Sequence, residues 1–233
     1  MGWRGRIAAR IAPPMTPDDR LSAIRDRIAR AARLARRDPA EVTLIAVSKT
    51  HDAPAIRPFL AAGQHDFGEN RVQEAQAKWP ELRAEFPNAR LHLIGQLQSN
   101  KAADAVAIAD AIHSVDRPSL IAALARAMDA TGRRPACFLQ VNIGMEEQKG
   151  GCAIADVPAL LTEARAAALP IAGLMAIPPA GLDAAPYFAL LAKIGRDEGV
   201  TGLSMGMSDD LDTAVTLGAT HIRVGSALFG ARA

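Results

Sequence analysis

Val42-Thr43-Leu44-Ile45-Ala46-Val47-Ser48-Lys49 is an apolar, β-branched run that ends on a cation. Such a run reads as a strand buried on both faces, the kind a parallel sheet contains. The chain otherwise carries its positive charge on arginine, 22 against 5 lysines, so a lysine at this strand end stands out. An ammonium group at the mouth of an apolar strand is easily desolvated. Desolvation disfavours the charged form and leaves a nucleophilic amine, suited to forming a Schiff base with an aldehyde. A lysine that merely snorkels from the strand end to solvent explains the segment equally well.

Seven more strand-like runs follow: His65–Gly68, Leu91–Gly95, Ala111–Val115, Cys137–Ile143, Ile171–Ile177, Gly202–Gly206 and His221–Gly225. Helical patterns separate them, at Ala53–Ala62, Arg71–Glu85, Lys101–Ala109, Ser119–Ala130, Val157–Ala168, Ala184–Glu198 and Ser208–Leu217. Helix-sized connections between all strands require parallel pairing. The natural closure is an α/β fold of the (β/α)8 TIM-barrel type, compact at 233 residues against about 250 for a typical one. A doubly wound open sheet has the same periodicity. Ahead of the first strand, Thr16-Pro17-Asp18-Asp19 opens a helix with a capping hydroxyl, an early proline and acids at the positive dipole end. Residues 1–15 carry three arginines, no acid and Pro13-Pro14, and read as a disordered extension or as upstream of a true start at Met15. Residues 16–233 then form one barrel domain.

A formal net charge of +2 is too small to imply nucleic-acid binding, and no apolar stretch approaches the roughly 20 residues of a membrane span. Arg20, Arg25, Arg27, Arg30, Arg33, Arg36 and Arg37 alternate with apolar positions, as on a solvated helix face. Cys137 and Cys152 lack CxxC spacing and read as reduced thiols of a cytoplasmic protein.

Chemistry in such a barrel lies at the carboxyl ends of the strands. Those ends carry Lys49, Glu69-Asn70, Gly95–Lys101, Asp116, Asn142, Pro178-Pro179, Met205–Ser208 and Gly225-Ser226. Loops after the seventh and eighth strands are the usual phosphate site. Leu203-Ser204-Met205-Gly206-Met207-Ser208-Asp209-Asp210 and Gly225–Gly230 have the small residues that let backbone N–H groups approach an anion. The competing explanation is that Ser208 caps its helix and the glycines only turn the chain. Arg223, inside His221-Ile222-Arg223-Val224, either faces outward to a helix carboxylate or points inward, where a ligand accepts from it. Asn70 can cap the next helix with Gln73 closing a capping box, or face the pocket. The five histidines show no i,i+4 pair and no HExxH, so no metal site is expected.

Taken in order, Leu44–Thr50, Phe67–Glu74, His92–Lys101, His113–Asp116, Gln140–Asn142 with Glu146 and Lys149, Gly173–Pro178, Leu203–Asp210 and Arg223–Gly230 resemble the pyridoxal phosphate homeostasis protein family. The resemblance implies a barrel of PLP fold type III, like the N-terminal domain of alanine racemase but without its C-terminal β-domain. It implies pyridoxal 5'-phosphate (PLP) as cofactor, held by Lys49 as a Schiff base. Asn70 would lie near the ring, and Ser204, Met205, Gly206 and Met207 with Gly225 and Ser226 would hold the phosphate. Arg223 would face the pyridine nitrogen.

The same resemblance implies a cytoplasmic PLP-binding protein that supports cofactor homeostasis without robust turnover. It is expected to be a monomer, with apo PLP-dependent enzymes as candidate recipients. Fold-type III racemases take a second acid/base tyrosine from the β-domain, whereas the only tyrosine here is Tyr187, in the helix before the seventh strand. An arginine at the pyridine nitrogen donates a hydrogen bond but not readily a proton, which makes the ring a weaker electron sink. Two alternatives remain: a PLP-dependent amino-acid racemase, and a class I aldolase whose lysine captures the substrate without a cofactor.

Overall fold

All eight apolar runs form strands. The computed structural model describes residues 15–230, and the reading for residues 1–14 lies outside them. The strands are β1 (Thr43–Val47), β2 (Asp66–Glu69), β3 (Arg90–Leu93), β4 (Ala111–Val115), β5 (Ala136–Gln140), β6 (Ile171–Met175), β7 (Gly202–Ser204) and β8 (His221–Val224). Each pairs in parallel with the next, and β8 closes on β1 with Thr43 opposite His221 and Ala46 opposite Val224. That closure excludes the open doubly wound sheet. Several strands stop sooner than their apolar runs, β5 and β7 among them. Beyond β5, Val141 bridges to Cys152 and the Asn142 N–H donates to the Cys152 carbonyl, so the chain leaves the barrel. Beyond β7, Gly206 takes φ +94, and a Cβ there would lie 2.4 Å from that of Ala214. Only glycine makes that turn.

Helices α1 (Pro17–Leu34), α2 (Ala53–Ala61), α3 (Val72–Glu85), α4 (Ala102–Ile108), α5 (Pro118–Thr131), α6 (Val157–Ala166), α7 (Ala185–Asp197), α8 (Leu211–Thr216) and α9 (Ser226–Phe229) surround the barrel. Thr16 caps α1 and forms a capping box with Asp19. α1 packs against α8, α9 and α2, burying Leu21, Ile24, Ile28 and Ala31. Arg25, Arg30, Arg33 and Arg36 are exposed, as a solvated face requires, while Arg20, Arg27 and Arg37 are partly buried. Arg20 donates to the Leu228 carbonyl, Arg25 to Gly63, Arg37 to Val215, and Arg27 to Ser208 and Asp212. Arg27 and Arg37 thus tie this segment to the six-residue α8, Arg20 ties it to α9, and Arg25 to the turn after α2.

Between helices and sheet lies an aliphatic core built from residues such as Leu91, Ile112, Leu124, Leu139, Leu161 and Leu191. Inside the barrel the filling differs. His113 stacks on Phe138 at 4.2 Å, and His221 meets Phe138 edge-on at 4.9 Å, with His92 beside them. Bulky aliphatics usually fill this space.

Both cysteines are free and buried, and burial pushes both thiols up to about 12. The thiolate is the reactive form. Native protein at pH 8 should therefore resist iodoacetamide at both positions, while denatured protein takes up two equivalents. Rapid alkylation of the folded chain would contradict this packing.

Candidate cofactor site

After β1, Ser48–His51 turn the chain and carry Lys49 onto the carboxyl rim. Thr50 sits at φ +67, a left-handed conformation that β-branched residues avoid, so its surroundings must hold the turn. Lys78 on α3 holds it. Its Nζ donates to the Ser48 and His51 carbonyls at 3.0 and 2.8 Å, bracketing Lys49 and Thr50, and to Glu74 Oε1 at 2.9 Å. Glu74 Oε1 in turn accepts the Thr50 N–H at 2.6 Å. Beneath the turn, Glu69 Oε1 lies 2.8 Å from Lys78 Nζ and accepts from Ser48 Oγ at 2.6 Å and Trp79 Nε1 at 3.3 Å. Burial raises the Glu69 carboxyl above its ordinary value, against the lowering pull of Lys78 and Ser48.

Lys49 is half-buried on the wall of a cavity of about 320 Å³. The same wall takes Asn70 from the end of β2, Arg223 from β8, and Met207, Gly225 and Ser226 from the two loops. The structure thus gathers most of the expected residues. It does not gather all of them. Ser204 and Met205 are fully buried beneath the wall, Gly206 is also off it, and the Met205 N–H is engaged by the His221 carbonyl. Two capping expectations also fail. Helix α3 starts at Val72 after Arg71, with no side-chain cap, so Asn70 and Gln73 form no capping box. Helix α8 starts at Leu211 after Asp210, which leaves Ser208 on the pocket wall instead of at the cap. Ser208 and Ser226 hydroxyls meet at 3.3 Å and join the two loops. Asp209 is on the wall as well, while Asp210 is turned to the Met207 N–H at 2.6 Å.

A close approach sets Asn70. A Cβ on Gly95 would fall 2.3 Å from the Asn70 carbonyl oxygen, so only glycine lets the loop after β3 pass there. Arg223 takes the inward orientation. It is 4% exposed and donates to the Ser204 carbonyl and hydroxyl, both at 2.7 Å, and to the Ala176 carbonyl at 2.9 Å. A guanidinium has five donors, and these bonds engage three. Burial lowers Arg223 to about 10, which leaves it charged at neutral pH.

Other rim residues serve the loops. Asp116 accepts from Arg117 and the Gly151 N–H, Asn142 bonds both backbone groups of Glu146, and Lys149 pairs with Glu146. Tyr187 is on α7, packed against the outer core. Sequence reasoning missed Lys78 and Glu74, and it gave Glu69 no role beyond its place on the rim. It also set aside the histidines, three of which meet inside the barrel.

Fold and rim define a fold-type III barrel, and the pattern of the "Alanine racemase, N-terminal domain" family matches residues 20–233. The chain belongs to that family. Among its relatives, the pyridoxal phosphate homeostasis protein of Pseudomonas aeruginosa is 43% identical over 220 residues, 92% of this chain and 95% of that one. The Escherichia coli protein of the same name is 37% identical, covering 91% and 95%. PipY of Synechococcus elongatus, solved with PLP bound, is 43% identical with a TM-score of 0.80, covering 92% of this chain and all of PipY (100%). Alanine racemase of Clostridium difficile shares only the fold, at 12% identity and TM-score 0.70; 92% of this chain matches 57% of the racemase.

Removing one partner of a buried ion pair costs more than removing both. Lys78→Met should cost about 3 kcal/mol in urea unfolding, and Lys78→Met with Glu69→Gln should recover part of it. Additive losses would mean that the two groups are not coupled.

Proposed function

We propose that this chain binds PLP covalently on Lys49 and serves PLP homeostasis by holding the cofactor without robust turnover. One arrangement carries the reading: a lysine, a buried arginine and two small-residue loops share a single cavity at the carboxyl rim. The relatives named for PLP homeostasis and the PLP-bound PipY structure support it. When bound, PLP supplies an aldehyde that an amine captures reversibly and a ring that withdraws electrons.

The residues fit that group. Lys49 would make the covalent attachment from a turn that Lys78 keeps in place. Asn70 would lie along the ring, with Arg223 donating to the ring nitrogen. Because a guanidinium donates without readily giving up its proton, Arg223 would leave that nitrogen unprotonated and the ring a weak electron sink. The Ser208 and Ser226 hydroxyls, with Met207 and Gly225, would hold the phosphate at the loops where such barrels bind it. Ser204 would act through Arg223. The reading extends to a cytoplasmic monomer that passes PLP to apo PLP-dependent enzymes. Among the described residues, no helix is long and apolar enough to cross a membrane.

A racemase is the second reading, favoured by the likeness of fold. Racemisation needs an acid/base on each face of the substrate. Lys49 can serve one face, and Tyr187 packs outside the barrel.

Protein loaded with PLP should show a visible absorbance band that Lys49→Ala abolishes; a band that survives the substitution would refute the attachment. Pyridoxal without its phosphate should bind roughly 100-fold more weakly than PLP, the loss of two or more charge-assisted bonds. Equal affinities would remove the phosphate site. In heavy water, L- and D-alanine should keep their α-protons over many hours with the loaded protein. Stereo-inverting exchange at enzyme-like turnover, lost in Lys49→Ala, would require the racemase reading instead.

A further inference from the structure

Below the pocket, a continuous row of hydrogen bonds crosses the barrel interior. It starts at the amino-terminal end of β2, where Asp66 Oδ2 pairs with Arg90 at 2.6 Å and Oδ1 lies 2.9 Å from His92 Nε2. His92 Nδ1 lies 3.0 Å from His113 Nε2, and His113 Nδ1 lies 2.9 Å from Ser204 Oγ. Ser204 Oγ accepts from the Arg223 guanidinium at 2.7 Å, and Arg223 is on the pocket wall. Every side chain in the row from Asp66 to Arg223 is buried.

The chemistry of the two ends gives the row a direction. Arginine can only donate, and an ionised carboxylate can only accept. With neutral imidazoles between them, one arrangement satisfies every contact. Arg223 donates to Ser204, Ser204 to His113 Nδ1, His113 Nε2–H to His92 Nδ1, and His92 Nε2–H to Asp66. Burial keeps His113 well below its ordinary value and therefore neutral. His221 stands aside from the row, bonded to Thr220 Oγ1 at 2.8 Å. Bonds aligned this way polarise one another in a dry interior. A buried guanidinium and a carboxylate at the opposite barrel end thus become partners through two rings and a hydroxyl.

We propose that Asp66, His92, His113 and Ser204 are positioning residues for the pocket, a one-way relay that orients the Arg223 guanidinium toward the ligand from below. The role rests on PLP being the ligand and on Arg223 meeting its ring nitrogen. The relay also reaches the other face of the molecule, because Asp66 and Arg90 line a depression of about 530 Å³ at the amino-terminal end of the barrel.

Two measurements test it. Imidazole ¹⁵N spectra of the wild-type protein without PLP, at neutral pH, should show His92 and His113 as Nε2–H tautomers with bare Nδ1 atoms. Nδ1–H on either ring would overturn the direction of the relay, whether or not PLP binds. PLP titrations should then show about tenfold weaker binding in Ser204→Ala and in the remote Asp66→Asn, one charge-assisted bond's worth. The visible band of bound PLP should shift in both, and Ser204→Thr, which keeps the hydroxyl, should restore affinity and spectrum. Wild-type affinity in both Ser204→Ala and Asp66→Asn would overturn the proposal. So would Ser204→Thr behaving no better than Ser204→Ala, since packing alone would then account for the loss. A wild-type protein that bound no PLP would instead remove the function proposed above.

Discussion

A charged guanidinium inside a closed barrel is the constraint around which the upper half of this molecule is arranged. Arg223 is 4% exposed, and an unpaired buried charge costs several kcal/mol. Among the described residues it forms no salt bridge, so neutral acceptors take its hydrogen bonds. The Ser204 and Ala176 carbonyls come from the ends of β7 and from just beyond β6, and they reach Arg223 only because those strands pair in register beside β8. Barrel closure and arginine burial therefore depend on each other. The polar filling of His92, His113 and Ser204, where other barrels pack aliphatics, follows from the same need.

The second fixed point is the Lys49 turn. A left-handed threonine beside the lysine is unfavourable alone, by about 1–3 kcal/mol. The Lys78 ammonium offsets it by gripping the carbonyls on either side, and Glu69 and Glu74 hold that ammonium in place. The turn is anchored from α3 below, and Arg223 is anchored from β7. The cavity between them has two walls set by separate networks, each tied into the aliphatic core. A ligand gripping both walls would meet groups already oriented, which lowers the ordering cost of binding.

The fold was legible because each strand of a parallel barrel is buried on both faces and reads as a continuous apolar run. That property also hid part of the site. In a strand with alternating polarity the inward face can be read off; in Leu203-Ser204-Met205 it cannot, and Ser204 was expected at the phosphate loop when it belongs beneath Arg223. Asn70 and Ser208 looked like helix caps because both residue types favour caps, yet the chain starts those helices two and three residues later. The histidines come from strands far apart in sequence, and no local spacing announces that they meet. Lys49 and Arg223 stood out in the sequence, but their own residues left the direction of each side chain open and only the resemblance assigned them roles. A cation in an apolar run draws notice, and the order of the strands put both at one rim.

Borohydride reduction of the PLP-loaded protein, followed by proteolysis and mass mapping, tests the central claim most directly. The account predicts a single phosphopyridoxyl adduct, on the peptide that contains Lys49. An adduct on Lys101 or Lys149 in its place, or no stable adduct at all, would contradict it.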